Sequence, residues 1–129
     1  MRLDFFMKKQ FEYFQTNKKL TLFFAILWSA IIFIGCSLPG NEIPKLGMFK
    51  HFDKIVHFTF FALFFLLWFF VGKINIHRAI GLILLSLLIG FVIEFYQMYF
   101  VAGRSFDVWD GVADTVGALG GYIFFRIFK

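Results

Sequence analysis

The residues of this chain that could do chemistry are concentrated in two short stretches beside apolar runs. The segment EFYQMYFVAGRSFDVWDGVADTVG, near the C-terminal end, contains Glu94, Arg104, Asp107, Asp110 and Asp114, and an upstream DKIVHF contains Asp53, Lys54 and His57. Histidine and carboxylates are suited to proton transfer, and carboxylates also bind Mg²⁺ or Ca²⁺. Because charge near hydrocarbon is unfavourable, we expect these side chains to have a function.

The composition places the chain in a membrane. Of its 129 residues 60% are hydrophobic, 16% are charged, and the mean hydropathy is +0.80, whereas soluble domains are about a quarter charged. The length allows one domain. The net charge of +5 comes from residues in the gaps between apolar runs and not from a basic stripe, so we expect no nucleic-acid partner. A single cysteine, Cys36, excludes an intrachain disulfide and a thiolate metal cluster.

Four apolar runs are long enough to cross a bilayer as helices, which takes about 20 residues. They predict spans at about 20–38, 55–72, 79–101 and 108–125. The predicted fold class is therefore all-α, a polytopic bundle of four transmembrane helices, with residues 1–19 as a basic cytoplasmic tail and residues 20–129 as the transmembrane domain. The first run is longer than a signal-peptide core of about 7–15 residues, so we interpret it as a retained helix.

The distribution of Lys and Arg predicts the orientation. With the N-terminus inside, nine basic residues lie on the cytoplasmic side and four, Lys45, Lys50, Lys54 and Arg104, lie outside. Both termini are therefore predicted to be cytoplasmic. Six acidic residues then belong to the outer half: Glu42, Asp53, Glu94, Asp107, Asp110 and Asp114. This topology brings the ends of the last three spans together on one side.

Spacing within each helix adds to this picture. Asp53 and His57 are four residues apart, Glu94 and Gln97 are three apart, and Asp107, Asp110 and Asp114 follow at i, i+3 and i+7. Side chains with such spacing share a helix face, which predicts one polar pocket open to the outer side. The alternative is structural: the aspartates cap helices, Arg104 anchors a hairpin, and His57 is a satisfied interior histidine. Capping explains neither Glu94 nor Asp114, which lie well inside their spans.

These motifs resemble those of a known family. SLPG after the first span, DKIVHF, EFYQ and GRSFDVWDGVADTVGALGG are similar to the VanZ-like family of small bacterial integral membrane proteins, over the chain from about Trp28 onward. Asp114 departs from the asparagine expected in many relatives. The family is named after a protein that lowers sensitivity to teicoplanin. The resemblance implies a multi-pass protein of the bacterial inner (plasma) membrane, with a role in the cell envelope and a link to glycopeptide antibiotic resistance.

The first functional hypothesis is a pocket that binds, or acts on, the headgroup of an envelope lipid or cell-wall precursor. His57 and Glu94 would be the acid–base pair, because the ordinary pKa of histidine suits proton transfer near neutral pH. Arg104 and Lys54, together with Asp53 and Gln97, would bind the headgroup, and Asp107, Asp110 and Asp114 would hold a divalent cation. Ser105 and Thr115 lack an obvious base as nucleophiles, which leaves open whether the protein is an enzyme.

Two alternatives remain at the level of sequence. One is a non-catalytic membrane scaffold whose acids are saturated by Lys54 and Arg104. The other is a small proton-coupled transporter, which would have to be a homo-oligomer, at least a dimer, and would need polar lining through the inner half of the bundle. The inner halves of the second and third spans offer only Ser86 and small residues for such a path, which disfavours the transporter.

Overall fold

The described part of the chain folds into five helices. The computed structural model describes residues 2–40 and 51–129, and within these ranges the regular elements are α1 (Arg2–Thr16), α2 (Lys18–Ser37), α3 (Phe52–Val71), α4 (Ile76–Phe100) and α5 (Val108–Phe128). Helices α2 to α5 are each long and apolar enough to cross a membrane. The all-α class and the four spanning helices are thereby confirmed. Glu42, Lys45 and Lys50, which enter the orientation prediction, lie outside the described residues.

The N-terminal tail forms a helix that the sequence analysis did not predict. Phe11 of α1 is only 5% exposed, and its ring centroid lies 5.1 Å from that of Phe70 and 5.7 Å from that of Phe125. Helix α1 therefore packs against the C-terminal ends of α3 and α5. Exposed residues on its other faces include Leu3 and Phe5.

Basic side chains cap the C-terminal end of α3 by donating to its carbonyl groups. The Lys18 ammonium donates to the carbonyl oxygens of Phe70 (2.6 Å) and Gly72 (3.2 Å), and the Arg78 guanidinium donates to that of Trp68 (2.7 Å). The last carbonyls of a helix lack intrahelical partners, and cations there are favourable. These contacts tie the starts of α2 and α4 to the end of α3.

Small residues allow α3 and α5 to pack closely. A Cβ atom added to Gly117 would collide with the backbone carbonyl of Phe58, and one at Gly121 would lie 2.7 Å from the carbonyl oxygen of Ala62. Such small-residue contacts bring helix backbones together in membranes. The same pairing places the start of α5 beside the start of α3.

The outer faces of the bundle are apolar. Ile34 and Leu88 are each 61% exposed, and Phe33 is 57% exposed. Since lipid tails solvate such side chains, this surface fits the lipid-facing side of a multi-pass membrane protein.

Candidate functional site

Seven ionisable side chains meet where α3 and α5 begin and α4 ends. We call this set the polar cluster; it consists of Asp53, Lys54, His57, Glu94, Asp107, Asp110 and Asp114. Glu94 lies six residues before the end of α4 and Asp114 six residues into α5, so each is about 9 Å inside its helix at 1.5 Å per residue. The predicted meeting of three helix ends is thus present in the structure.

Lys54 lies at the outer edge of the polar cluster and bonds to three carboxylates. Its Nζ lies 2.8 Å from Asp53 Oδ2, 2.6 Å from Asp107 Oδ2 and 2.5 Å from Asp110 Oδ1. An ammonium has three N–H donors, so these contacts use all of them. The hydrogen bond from Lys54 also holds the pKa of Asp107 below its usual range. Lys54 is therefore engaged by carboxylates, whereas the sequence hypothesis reserved it for an anionic headgroup.

Asp107 also begins α5. Its Oδ1 accepts a hydrogen bond from the backbone N–H of Trp109 at 2.8 Å, the geometry of an N-cap. Capping and ion pairing thus operate on the same side chain, because its other oxygen bonds to Lys54. The structural alternative considered for Asp107 describes part of its role.

His57 is buried between two aspartates of α5. Its Nδ1 lies 2.9 Å from Asp114 Oδ1, and its Nε2 lies 3.6 Å from Asp110 Oδ2. His57 is 7% exposed and Asp114 is fully buried. The hydrogen-bond partner of His57 is consequently Asp114, whereas the sequence offered Glu94 as its partner or as a second base.

Glu94 joins α4 to the segment that precedes α5. Its Oε2 accepts a hydrogen bond from the backbone N–H of Asp107 at 2.8 Å. Its Oε1 is buried and has no hydrogen-bond partner within residues 2–40 and 51–129. One atom each of Glu94, His57 and Asp110 lies within 4.8 Å of the others. Glu94 is thus close to His57 without a hydrogen bond between them.

Gln97 and Arg104 do not join the polar cluster through the contacts that the structure describes. Gln97 is 1% exposed, and its Nε2 donates to the carbonyl oxygen of Cys36 at 3.0 Å, which ties α4 to α2. Arg104 lies between α4 and α5, and its buried Nε has no partner in the described part of the chain. The hydroxyl of Thr115 donates to the Gly111 carbonyl, so this candidate nucleophile makes an ordinary helix bond.

A glycine of α4, which was not considered at the level of sequence, leaves room for the Asp114 side chain. A Cβ atom added to Gly90 would lie 2.9 Å from Asp114 Oδ2, so any larger residue would crowd the carboxylate. That Oδ2 is buried and has no hydrogen-bond partner among the described residues. The sequence feature that could have indicated this contact is a glycine inside an apolar span, one helical turn before Glu94.

A groove of about 880 Å³ lies between α3 and α5 beside the polar cluster. Its polar end is formed by Asp53, Lys54 and Asp107, with His51. Its flank is apolar and is lined by Ile55, Phe58, Trp109, Val112, Ala113 and Val116. Ligand sites typically measure about 300–1,000 Å³, so this groove is large enough for part of an amphiphile. The hydrophobic lining was missed because such residues look like ordinary lipid-facing positions in a sequence.

Comparison of the chain with known proteins gives a match to a family model. The family model described as VanZ/LLP1 matches residues 5–129. The match extends further toward the N-terminus than the resemblance seen in the sequence, which begins near Trp28, and it includes most of α1. Neither a curated protein nor a solved structure matches the chain significantly.

Proposed function

The chain belongs to the VanZ/LLP1 family, and from that premise we propose that it binds an envelope lipid in the groove between α3 and α5. The observation that carries the proposal is the form of the groove. An apolar flank that includes Ile55 and Val116 leads directly to the charged side chains of Lys54 and Asp107. An amphiphile needs an apolar surface for its tail next to polar groups for its headgroup, whereas a structural ion-pair network needs no apolar groove beside it.

The charges at the polar end indicate the kind of headgroup. Asp53, Asp107 and Asp110 share the single ammonium of Lys54, which leaves an excess of negative charge. The side chains of Asp53 and Asp107 are 50% and 38% exposed, so they can meet a ligand. Because like charges repel and opposite charges attract, the groove fits a headgroup that carries an amine better than a purely anionic one.

The proposed ligand is therefore a zwitterionic aminolipid such as phosphatidylethanolamine. With both termini in the cytoplasm, as the charge distribution predicts, it would be drawn from the outer leaflet of the inner membrane. A cell-wall precursor on a polyprenyl pyrophosphate carrier shares the apolar tail but lacks this headgroup, so it serves as the competing ligand in the test.

The test is photocrosslinking of the purified protein in detergent with phosphatidylethanolamine that carries a diazirine in its acyl chain. We expect crosslinks on α3 and α5 near Phe58 and Val112. Val116→Trp fills the groove and should remove most of the crosslinking. Ile123→Trp is the matched control, because Ile123 lies two turns further along α5 and is equally exposed, at 50% against 48%.

Headgroup preference is tested by competition with unlabelled phosphatidylethanolamine, phosphatidylglycerol and a polyprenyl pyrophosphate. Asp53→Asn should weaken phosphatidylethanolamine binding about 1.5- to 5-fold, the range expected for an exposed ion pair of about 0.2–1 kcal/mol. Stronger competition by either anionic ligand would contradict the headgroup assignment. Equal labelling of the Val116→Trp and Ile123→Trp variants would contradict the groove itself.

The non-catalytic scaffold is the second candidate, and the observation that favours it is that Lys54 of α3 links that helix to the start of α5 through Asp107 and Asp110. Lipid and precursor profiling of a deletion strain, beside a strain with the groove-filling Val116→Trp variant, separates the two. A lipid-binding function predicts a changed profile in both strains. Teicoplanin sensitivity of the same strains tests the proposed link to glycopeptide resistance.

A further inference from the structure

We propose that His57, Glu94 and Asp110 bind a divalent transition-metal ion, with Asp114 holding the histidine in position from behind. This site differs from the set Asp107, Asp110 and Asp114 suggested by sequence spacing. It does not depend on the lipid proposal, because none of its three ligands lines the groove.

The distances between the three side chains suit a small cation. One ligating atom of each lies within 4.8 Å of the others, and His57 Nε2 lies 3.6 Å from Asp110 Oδ2. Two ligands that each lie about 2.1 Å from a tetrahedral Zn²⁺ are about 3.4 Å apart. Binding would therefore require the ligand atoms of the three side chains to move closer together.

A second observation at this place points to a ligand. Glu94 is fully buried, and its Oε1 lacks a hydrogen-bond partner among the described residues. Buried polar atoms are nearly always bonded, and a bound cation would supply the missing partner. The hydrogen bond from the Asp107 N–H to Oε2 fixes the carboxylate and leaves Oε1 available.

The contact between His57 and Asp114 is the kind that metal-binding histidines make. Such histidines usually donate their second ring N–H to a carboxylate, which sets the tautomer and the ring orientation. Here Nδ1 lies 2.9 Å from Asp114 Oδ1, so a proton on Nδ1 leaves the Nε2 lone pair facing Asp110. Gly90 leaves the space in which Asp114 sits behind the ring.

The other group of acids with suitable spacing already has its cation. Asp53, Asp107 and Asp110 also lie close enough to share an ion, but the Lys54 ammonium bonds to all three. In the inner group, Asp110 accepts from Lys54 through Oδ1 and faces His57 with Oδ2. Among the described residues no ammonium bonds to Glu94 or His57, and the group contains an imidazole. Imidazole favours zinc and its neighbours, whereas Mg²⁺ and Ca²⁺ prefer oxygen ligands alone. Zn²⁺ is accordingly the expected ion.

The experiment measures zinc binding to the full chain, purified in detergent with a tag that contains no histidine. The protein is stripped with a chelator, incubated with Zn²⁺ and desalted, and its metal content is determined by mass spectrometry. We expect about one Zn²⁺ per chain. His57→Gln and Glu94→Gln should each lose it, and Asp114→Asn should bind about 10- to 100-fold more weakly, as expected when the partner of a ligating histidine is altered.

His77→Gln is the matched control, because His77 is an exposed histidine at the other end of the bundle. Co²⁺ loading of the wild-type chain adds a readout that needs no variant: visible d–d bands of a four- or five-coordinate ion are expected. Absence of bound Zn²⁺ in the wild type, or full Zn²⁺ content in a correctly folded His57→Gln variant, would overturn the site. Val116→Trp should keep its zinc even though it loses lipid, so failure of one proposal is distinguishable from failure of the other.

Discussion

At the scale of the residue, Lys54 links the start of α3 to the start of α5. Its ammonium bonds to Asp107 and Asp110 across the two helices as well as to Asp53 on its own helix. The Asp110 side chain is only 8% exposed. Removing one member of a desolvated ion pair leaves an uncompensated charge and is strongly destabilising. The Lys54 ammonium thus neutralises these carboxylates in the way that a bound cation would.

The energetic coupling between Lys54 and Asp110 can be measured by a double-mutant cycle. Lys54→Met, Asp110→Asn and the double variant should show a coupling free energy of about 0.5–3 kcal/mol in thermal unfolding of the detergent-purified protein. A chelator is included so that bound metal does not contribute. Lys73→Met is the control, because Lys73 is exposed and should change stability little. Additive effects of the two substitutions would contradict this role.

The residue pairs of the polar cluster could be predicted only in part. Spacing along each helix showed which side chains share a face, and those faces do meet. It could not show that His57 pairs with Asp114 or that Lys54 engages three acids, because these contacts depend on the rotation and depth of α3 against α5. The approach of α4 to Asp114 depends in turn on Gly90, and a glycine inside a span carries no direct sign of its partner.

At the scale of the element, the α3–α5 contact is what places His57 next to Asp114. Gly117 lies one helical turn beyond Ala113, and a side chain there would meet the backbone of Phe58. Phe58 directly follows His57 in α3. A change in the separation of the two backbones at this point is therefore transmitted to the polar cluster.

Gly117→Ala should lower the stability of the bundle by about 1–3 kcal/mol, because the backbone atoms that it meets cannot move aside as a flexible side chain would. It should also weaken zinc binding, since His57 and Asp114 move apart. Gly81→Ala in α4 is the matched control: nothing lies within 4 Å of the added Cβ, and alanine is favoured over glycine in a helix by about 1 kcal/mol. Equal melting temperatures for the two variants would contradict close α3–α5 packing.

The elements themselves could be predicted to different degrees. The four spans were found with ends within about three residues of the observed ones, because an apolar run depends only on local composition. The sequence predicted a basic tail where α1 lies, because charged residues are interspersed among the apolar positions of this helix. Phe11 is buried only once Phe70 and Phe125 are in place, which is information that belongs to the tertiary structure.

At the scale of the whole molecule, the orientation in the membrane decides from which leaflet a lipid would enter the groove. Nine of 13 basic residues lie at one end in the predicted topology, and Lys18 and Arg78 of that set bond to the end of α3. The polar cluster lies at the opposite end. An excess of Lys and Arg in short loops marks the cytoplasmic side, so the polar cluster is predicted to face outward.

Single cysteines test this orientation in a Cys36→Ala background; Cys36 itself is buried. Ser105→Cys lies between α4 and α5, and Lys73→Cys lies between α3 and α4, and both positions are exposed. A membrane-impermeant maleimide added to intact spheroplasts should label Ser105→Cys and should reach Lys73→Cys only after the membrane is permeabilised. The reverse pattern would contradict the predicted topology. The groove and the polar cluster would then keep their contacts but face the cytoplasmic leaflet, and the lipid would have to be sought there.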